Sequence, residues 1–205
     1  MADMGAFREA VTAWANGGPG EPAQDLAVRL RVRTAVLLEG PSDLAAVEAL
    51  AARHDRDLAA EGVCVMPVGG AMSIGRYAAV LGPPGLDLHL TGLCDEGEQR
   101  FYDRSLHQTH TPHRSFFVCV TDLEDELIRA LGAPAVEEII QAEGDLRAWR
   151  TFQHQPAHHG RSRRQQLRRF LGTKKGRKIR YGRLLVEALD PERVPAPLDD
   201  LLTSL

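Results

Sequence analysis

Apolar residues fall into four short continuous runs, and the stretches between them carry apolar residues at helical spacing. Residues 34–38, TAVLL, close on Glu39-Gly40 and read as a buried strand with a turn. Residues 42–54 place Leu44, Val47, Leu50 and Ala51 on one stripe, with Ser42 or Asp43 able to cap that helix. A second strand spans 63–68 and ends at Gly69-Gly70, followed by a short helix over 73–81 that Gly82-Pro83-Pro84-Gly85 terminates. A third covers 86–94, with Leu86, Leu88 and Leu90 alternating with Asp87, His89 and Thr91, and runs into Asp95. The fourth is SFFVCV, 115–120, after which Asp122 opens a helix bearing Leu123, Leu127, Ile128 and Leu131 on one face; an amphipathic helix over 134–142 follows. Strands alternating with helices predict an α/β fold: a parallel sheet of about four strands with helices on both faces.

This core takes in residues 34–145. Before it, residues 1–33 read as a helix over 1–15, with Phe7, Ala10, Val11 and Trp14 aligned, then a linker that begins NGGPGEP. After it, residues 146–205 read as a basic helical extension packing on the core. Its apolar helix over 179–189 carries Lys178 near the start, and a proline-bearing tail and a short LDDLL turn follow.

Charge sharpens the picture. The net charge is −3, yet residues 1–146 carry −12, residues 147–183 carry +13 without one acid, and residues 184–205 carry −4. Such segregation suggests a cation site in the body and a polyanion contact in the extension. Three of the four strands end in acids: Glu39, Asp95, and Asp122 with Glu124. Open parallel sheets bind ligands at that edge. Carboxylates gathered there repel one another unless a hard divalent cation joins them, although Asp43 and Asp122 are also well placed to cap helices.

Those residues carry a family resemblance. Leu37-Leu38-Glu39-Gly40-Pro41-Ser42-Asp43 resembles the first motif of the Toprim domain, Val68-Gly69-Gly70 the turn after its second strand, and Leu93-Cys94-Asp95 the strand ending in its Asp-x-Asp motif. The Glu-Gly-x-Ser-Asp form, with Asp122-Leu123-Glu124-Asp125-Glu126-Leu127, is most similar to the OLD (overcoming lysogenization defect) nucleases, over about residues 34–189. The resemblance implies a Toprim-like, Rossmann-type sheet and Mg²⁺- or Mn²⁺-dependent hydrolysis of nucleic-acid phosphodiesters with two ions. By motif, Glu39, Asp43, Asp95 and Glu124 would be metal ligands, Glu39 would also move a proton, and Lys178 would support the transition state. The chain departs from the pattern at Gly97, which stands where the family has the second Asp; Glu96 or Glu98 would have to reach the metal instead. A degraded metal site is the alternative, leaving a non-catalytic nucleic-acid or partner-binding module. OLD proteins also have an ATPase half, and no GxxxxGK[ST] occurs in these 205 residues, so the expectation is a stand-alone Toprim unit or one that meets a separate ATPase.

In the basic segment, Arg163, Arg164, Arg168, Lys174, Lys175 and Arg177 are the candidate phosphate contacts, on DNA ahead of RNA, with Phe152, Phe170 and Tyr181 available to stack on bases. His154, His158 and His159 lack a nearby cysteine or acid and read as part of this basic surface rather than a zinc site; His107, His110 and His113 read as a polar loop. Cys64, Cys94 and Cys119 sit in apolar segments without CxxC spacing and read as buried thiols of a cytoplasmic protein. No apolar run reaches membrane-spanning length. The start of the chain has neither the basic opening nor the apolar run of a signal peptide.

Overall fold

Each of the four apolar runs becomes a strand. In the computed structural model, which describes residues 4–108 and 114–205, β1 (Thr34–Leu38), β2 (Val63–Pro67), β3 (His89–Asp95) and β4 (Arg114–Cys119) form one sheet in the order β2-β1-β3-β4. All three pairings are parallel, with Thr34 opposite Val63 and His89, and Asp95 opposite Cys119. Parallel pairing requires crossover connections, so every strand points the same way and all the acidic strand ends arrive at one edge.

The strands are apolar on both faces because both are covered. In β1, Val36 and Leu38 face one core, while Ala35 and Leu37 face the other. In β2, Val63 and Val65 alternate with Cys64 and Met66 in the same way. One face is covered by α1 (Met4–Ala15), α2 (Glu21–Leu30), α4 (Ile74–Leu81) and α5 (Gln99–Gln108), through residues such as Phe7, Ala23, Tyr77 and Tyr102. The other is covered by α3 (Pro41–Arg53), α6 (Leu123–Leu131), α7 (Ala133–Ala142), α8 (Leu146–Gln153), α9 (Arg163–Leu171), α10 (Lys175–Glu187) and α11 (Ala196–Ser204). Trp149, Phe170, Tyr181 and Leu185 from the C-terminal helices are all essentially inaccessible to solvent. The extension is therefore part of the second core.

Several boundaries differ from the sequence reading. Residues 21–30, read as linker, form α2, whose small Ala23 and Ala27 are its buried positions and give little apolar signal. Residues 86–88 do not pair as strand, and Asp87 adopts a left-handed backbone (φ +54°). Helix α10 starts at Lys175, before its apolar stripe begins, so Lys178 lies in its first turn. His107 falls within α5, whereas His110 and His113 lie outside the described residues.

Two contacts fix α10 along α3. Gly182 lies so close to the start of α3 that a Cβ there would sit 2.5 Å from the Ser42 carbonyl oxygen. At the far ends, the Arg53 guanidinium donates to the carbonyls of Val186 (2.6 Å) and Leu189 (2.7 Å), satisfying C-terminal acceptors of α10. The two helices thus run parallel, both N-termini at the acidic edge of the sheet.

Much of the charge asymmetry is resolved internally. Arg163 pairs with Glu137, Arg164 with Asp125 (3.2 Å), Arg168 with Asp122 (2.5 Å) and Arg183 with Glu187 (2.5 Å). Asp145 accepts from Arg177, Arg180 and Tyr181 together. All three cysteines are buried and unpaired. No helix among the described residues is long and apolar enough to cross a membrane.

Candidate metal centre

At the acidic edge, β1 and β3 are neighbours, so the residues that end them are too. One carboxylate oxygen each from Glu39, Asp95 and Glu98 lie within 4.8 Å of one another. Glu98 arrives because a 3₁₀ turn over Glu96–Glu98 follows β3 directly and folds the chain back beneath Asp95. Glu96 and Gly97 are exposed on that turn, and a Cβ on Gly97 would meet nothing within 4 Å. Glu98, next to Gly97 and on an arm one methylene longer than Asp, is thus the acid of this turn that reaches Glu39 and Asp95.

The electrostatics of this group are those of a site short of positive charge. Burial, then the charges of Glu39, Asp122, Asp43 and Glu98, push the Asp95 carboxyl up to about 8. Burial, then the charge of Glu39 and a hydrogen bond to it, raise Glu98 as well. The second Glu98 oxygen is buried and has no hydrogen-bond partner. Oxygen-only donors and an orphaned acceptor fit a hard divalent cation such as Mg²⁺ or Mn²⁺. Tyr102, one helical turn beyond Glu98, also has a buried hydroxyl without a partner, and its pKa is raised by burial first and then by Cys94, Glu39 and Glu98.

Asp43 and Glu124 form a second, deeper group. Asp43 is at the third position of α3; one oxygen accepts the Gly40 N–H (2.9 Å) and the other lies 3.4 Å from the Ser42 hydroxyl. It therefore caps its helix, as the sequence allowed. Burial and Glu124 raise it to about 7, against the opposing influence of Lys178. Glu124, in the first turn of α6, is buried and ion-paired to the Lys178 ammonium at 3.1 Å. Its pKa is raised by burial and by Asp122, with Lys178 opposing. Burial disfavours the charge on Lys178, but Glu124 and Asp43 outweigh it and raise its pKa.

The structure thus splits the four expected ligands. Glu39 and Asp95 meet with Glu98; Asp43 and Glu124 meet with Lys178. Asp122 caps α6 through the Asp125 N–H (2.8 Å) and binds Arg168.

Residues 32–96 match the family model described as overcoming lysogenization defect protein-like, TOPRIM domain. Over that span the chain is similar to an OLD-like Toprim domain. Solved structures extend the similarity in fold beyond that span. The C-terminal region of the Burkholderia pseudomallei OLD protein matches with a TM-score of 0.63 at 21% identity, over 84% of this chain and 96% of that one. The C-terminal region of the Xanthomonas campestris pv. campestris OLD protein, phased with platinum, matches with a TM-score of 0.65 at 23% identity, over 84% and 91%. No curated protein matches the chain. Glu39 and Asp95 lie within the matched residues, and Glu98 lies two residues beyond them.

The nominated phosphate contacts divide as well. Arg163, Arg164 and Arg168 are ion-paired to the body. Arg177 is buried over the Phe170 ring (4.1 Å) and bonded to Asp145 and Thr173. Lys174 and Lys175 are exposed. The stacking expectation is corrected outright: Phe152, Phe170 and Tyr181 are buried, and Phe152 already stacks on His158 at 3.7 Å. His158, read as basic surface, is interior for the same reason: its ring covers an aromatic cluster.

Proposed function

We propose that this Toprim domain hydrolyses phosphodiester bonds of nucleic acid, DNA ahead of RNA, with Mg²⁺ or Mn²⁺. The single observation carrying this reading is the convergence of Glu39, Asp95 and Glu98 at one sheet edge. These three would hold one ion. A second would fall to Asp43 and Glu124, whose countercharge is now Lys178, so that ion has to displace the ammonium. When bound, the metal would polarise the phosphate and lower the pKa of an attacking water.

The protein's own groups have distinct tasks. Glu39, at the end of β1 beside Asp95 and Glu98, would take the proton of the attacking water. Lys178, held by Glu124 in the first turn of α10, supplies positive charge for the pentavalent phosphorus when freed from its partner. The resemblance to OLD proteins also supports a separate ATPase as partner, and the buried free thiols support a reducing, cytoplasmic setting.

Glu39→Ala and Asp95→Ala should each abolish cleavage of a plasmid or oligonucleotide in Mn²⁺ while circular dichroism stays native. Cleavage at wild-type rate by both variants would refute the site. Gly97 favours a second reading, a binding module whose metal site has decayed. Calorimetry separates the two: no Mg²⁺ or Mn²⁺ binding, with salt-sensitive DNA binding retained, selects that module.

A further inference from the structure

Beside Lys178 and Glu124 lies a cleft of about 1050 Å³ between α8, α9, the α9–α10 turn and the N-terminus of α6. Its rim carries Arg147, Arg169 and Lys174, all exposed. None of these three has an acidic partner within salt-bridge distance among the described residues, in contrast to Arg163, Arg164 and Arg168. Arg147 also borders an adjoining hollow of about 640 Å³ that Arg150 and His154 share. Unpaired cations thus line the hollow and the cleft at Arg150, Arg147, Arg169 and Lys174, and the cleft also reaches the Lys178–Glu124 ion pair.

The aromatic lining offers no free face for a base to stack on. Phe152 and Phe170 are buried and packed edge-on at 5.5 Å; Phe152 is covered by His158 and Phe170 by Arg177. A phosphate chain has what the rim lacks, negative charge at regular spacing, and flexible Lys and Arg side chains on a rim neutralise phosphates without reading sequence.

We propose that this cleft, through Arg147, Arg169 and Lys174, is the track that holds the sugar-phosphate backbone of a nucleic-acid strand leading to the carboxylate centre. The outer arginines of α9 serve to fasten the extension to the body. This rests on the phosphodiesterase reading for its direction, but not for its test.

The test is fluorescence anisotropy of the full chain with labelled 20-mers in EDTA, across a salt series. The probes are single-stranded DNA of mixed sequence, oligo-dT, RNA of the mixed sequence, and duplex DNA. The triple variant Arg147→Ala/Arg169→Ala/Lys174→Ala removes three exposed charges; Arg29→Ala/Arg33→Ala/Arg193→Ala removes as many elsewhere. Loss of three phosphate contacts on a single strand should reduce the slope of log K against log salt by about 2, or about 100-fold in affinity for each tenfold step below a 1 M reference. The control should bind as wild type does, and mixed-sequence DNA and oligo-dT should bind alike. The proposal is overturned if wild type binds no probe, if the cleft triple binds within threefold of wild type, or if the control loses as much. Cleavage in Mn²⁺ keeps the two readings apart. A protein that binds through the cleft but never cuts retains this track and loses the hydrolytic reading; one that cuts with an unaffected triple variant does the reverse.

Discussion

Glu98→Gln is the most discriminating single change, because it should move stability in opposite directions with and without metal. Three carboxylates whose oxygens approach within 4.8 Å repel by roughly 3 kcal/mol per ionised pair at an effective dielectric of ~20, and by about 1 kcal/mol in water. Glu98 is half-buried, so removing its charge should relieve about 1–2 kcal/mol at pH 8.5, where Asp95, raised to about 8, is mostly ionised. For a chain of this size that is a rise of about 2–8 °C in Tm in EDTA. Metal reverses the order. At a hundredfold excess over its Kd, Mn²⁺ should stabilise wild type by about 2.7 kcal/mol. If the lost ligand weakens affinity on the order of 100-fold, the same concentration stabilises the variant by only about 0.4 kcal/mol. Scanning calorimetry in EDTA and in Mn²⁺ reads both effects. A variant less stable than wild type in EDTA, and raised equally by Mn²⁺, would show that Glu98 is a structural acceptor and that the cluster is no cation site.

Lys178→Met leaves Glu124 buried without its partner and should cost roughly 3–5 kcal/mol in urea denaturation; Lys178→Met/Glu124→Gln should regain most of that stability but no cleavage, and recovered cleavage would remove Lys178 from the chemistry. Gly182→Ala puts a methyl against the Ser42 carbonyl and should cost about 1–3 kcal/mol while slowing cleavage, since α10 carries Lys178; unchanged stability would contradict the close packing of α3 and α10. Asp43 gives a pH signature in metal-free protein. Its folded pKa of about 7 lies above the ordinary 3.8, so its contribution is full below about pH 4 and is lost as pH rises to about 7, by up to about 4 kcal/mol. Asp43→Asn should keep that contribution, so the denaturation midpoints of variant and wild type should diverge as pH rises from 4.5 to 7.5; parallel curves would refute the assignment.

The local patterns determined the four strands, their parallel order of travel and the acidic edge, because two-faced burial forces continuous apolar runs and parallel crossovers bring strand ends together. They also marked Glu39 and Asp95, which end two such runs. Helix α2 escaped because its buried positions are alanines, and the start of α10 escaped because Lys175 to Lys178 precede its apolar stripe. Only the tertiary structure decided which acid of the turn after β3 meets Glu39 and Asp95, since the direction of a turn depends on the packing that follows it. It alone decided which arginines are spent on internal ion pairs and which remain free. Charge is visible in a sequence, but pairing is a matter of distance between residues as remote as Arg168 and Asp122, and only the folded chain sets that distance.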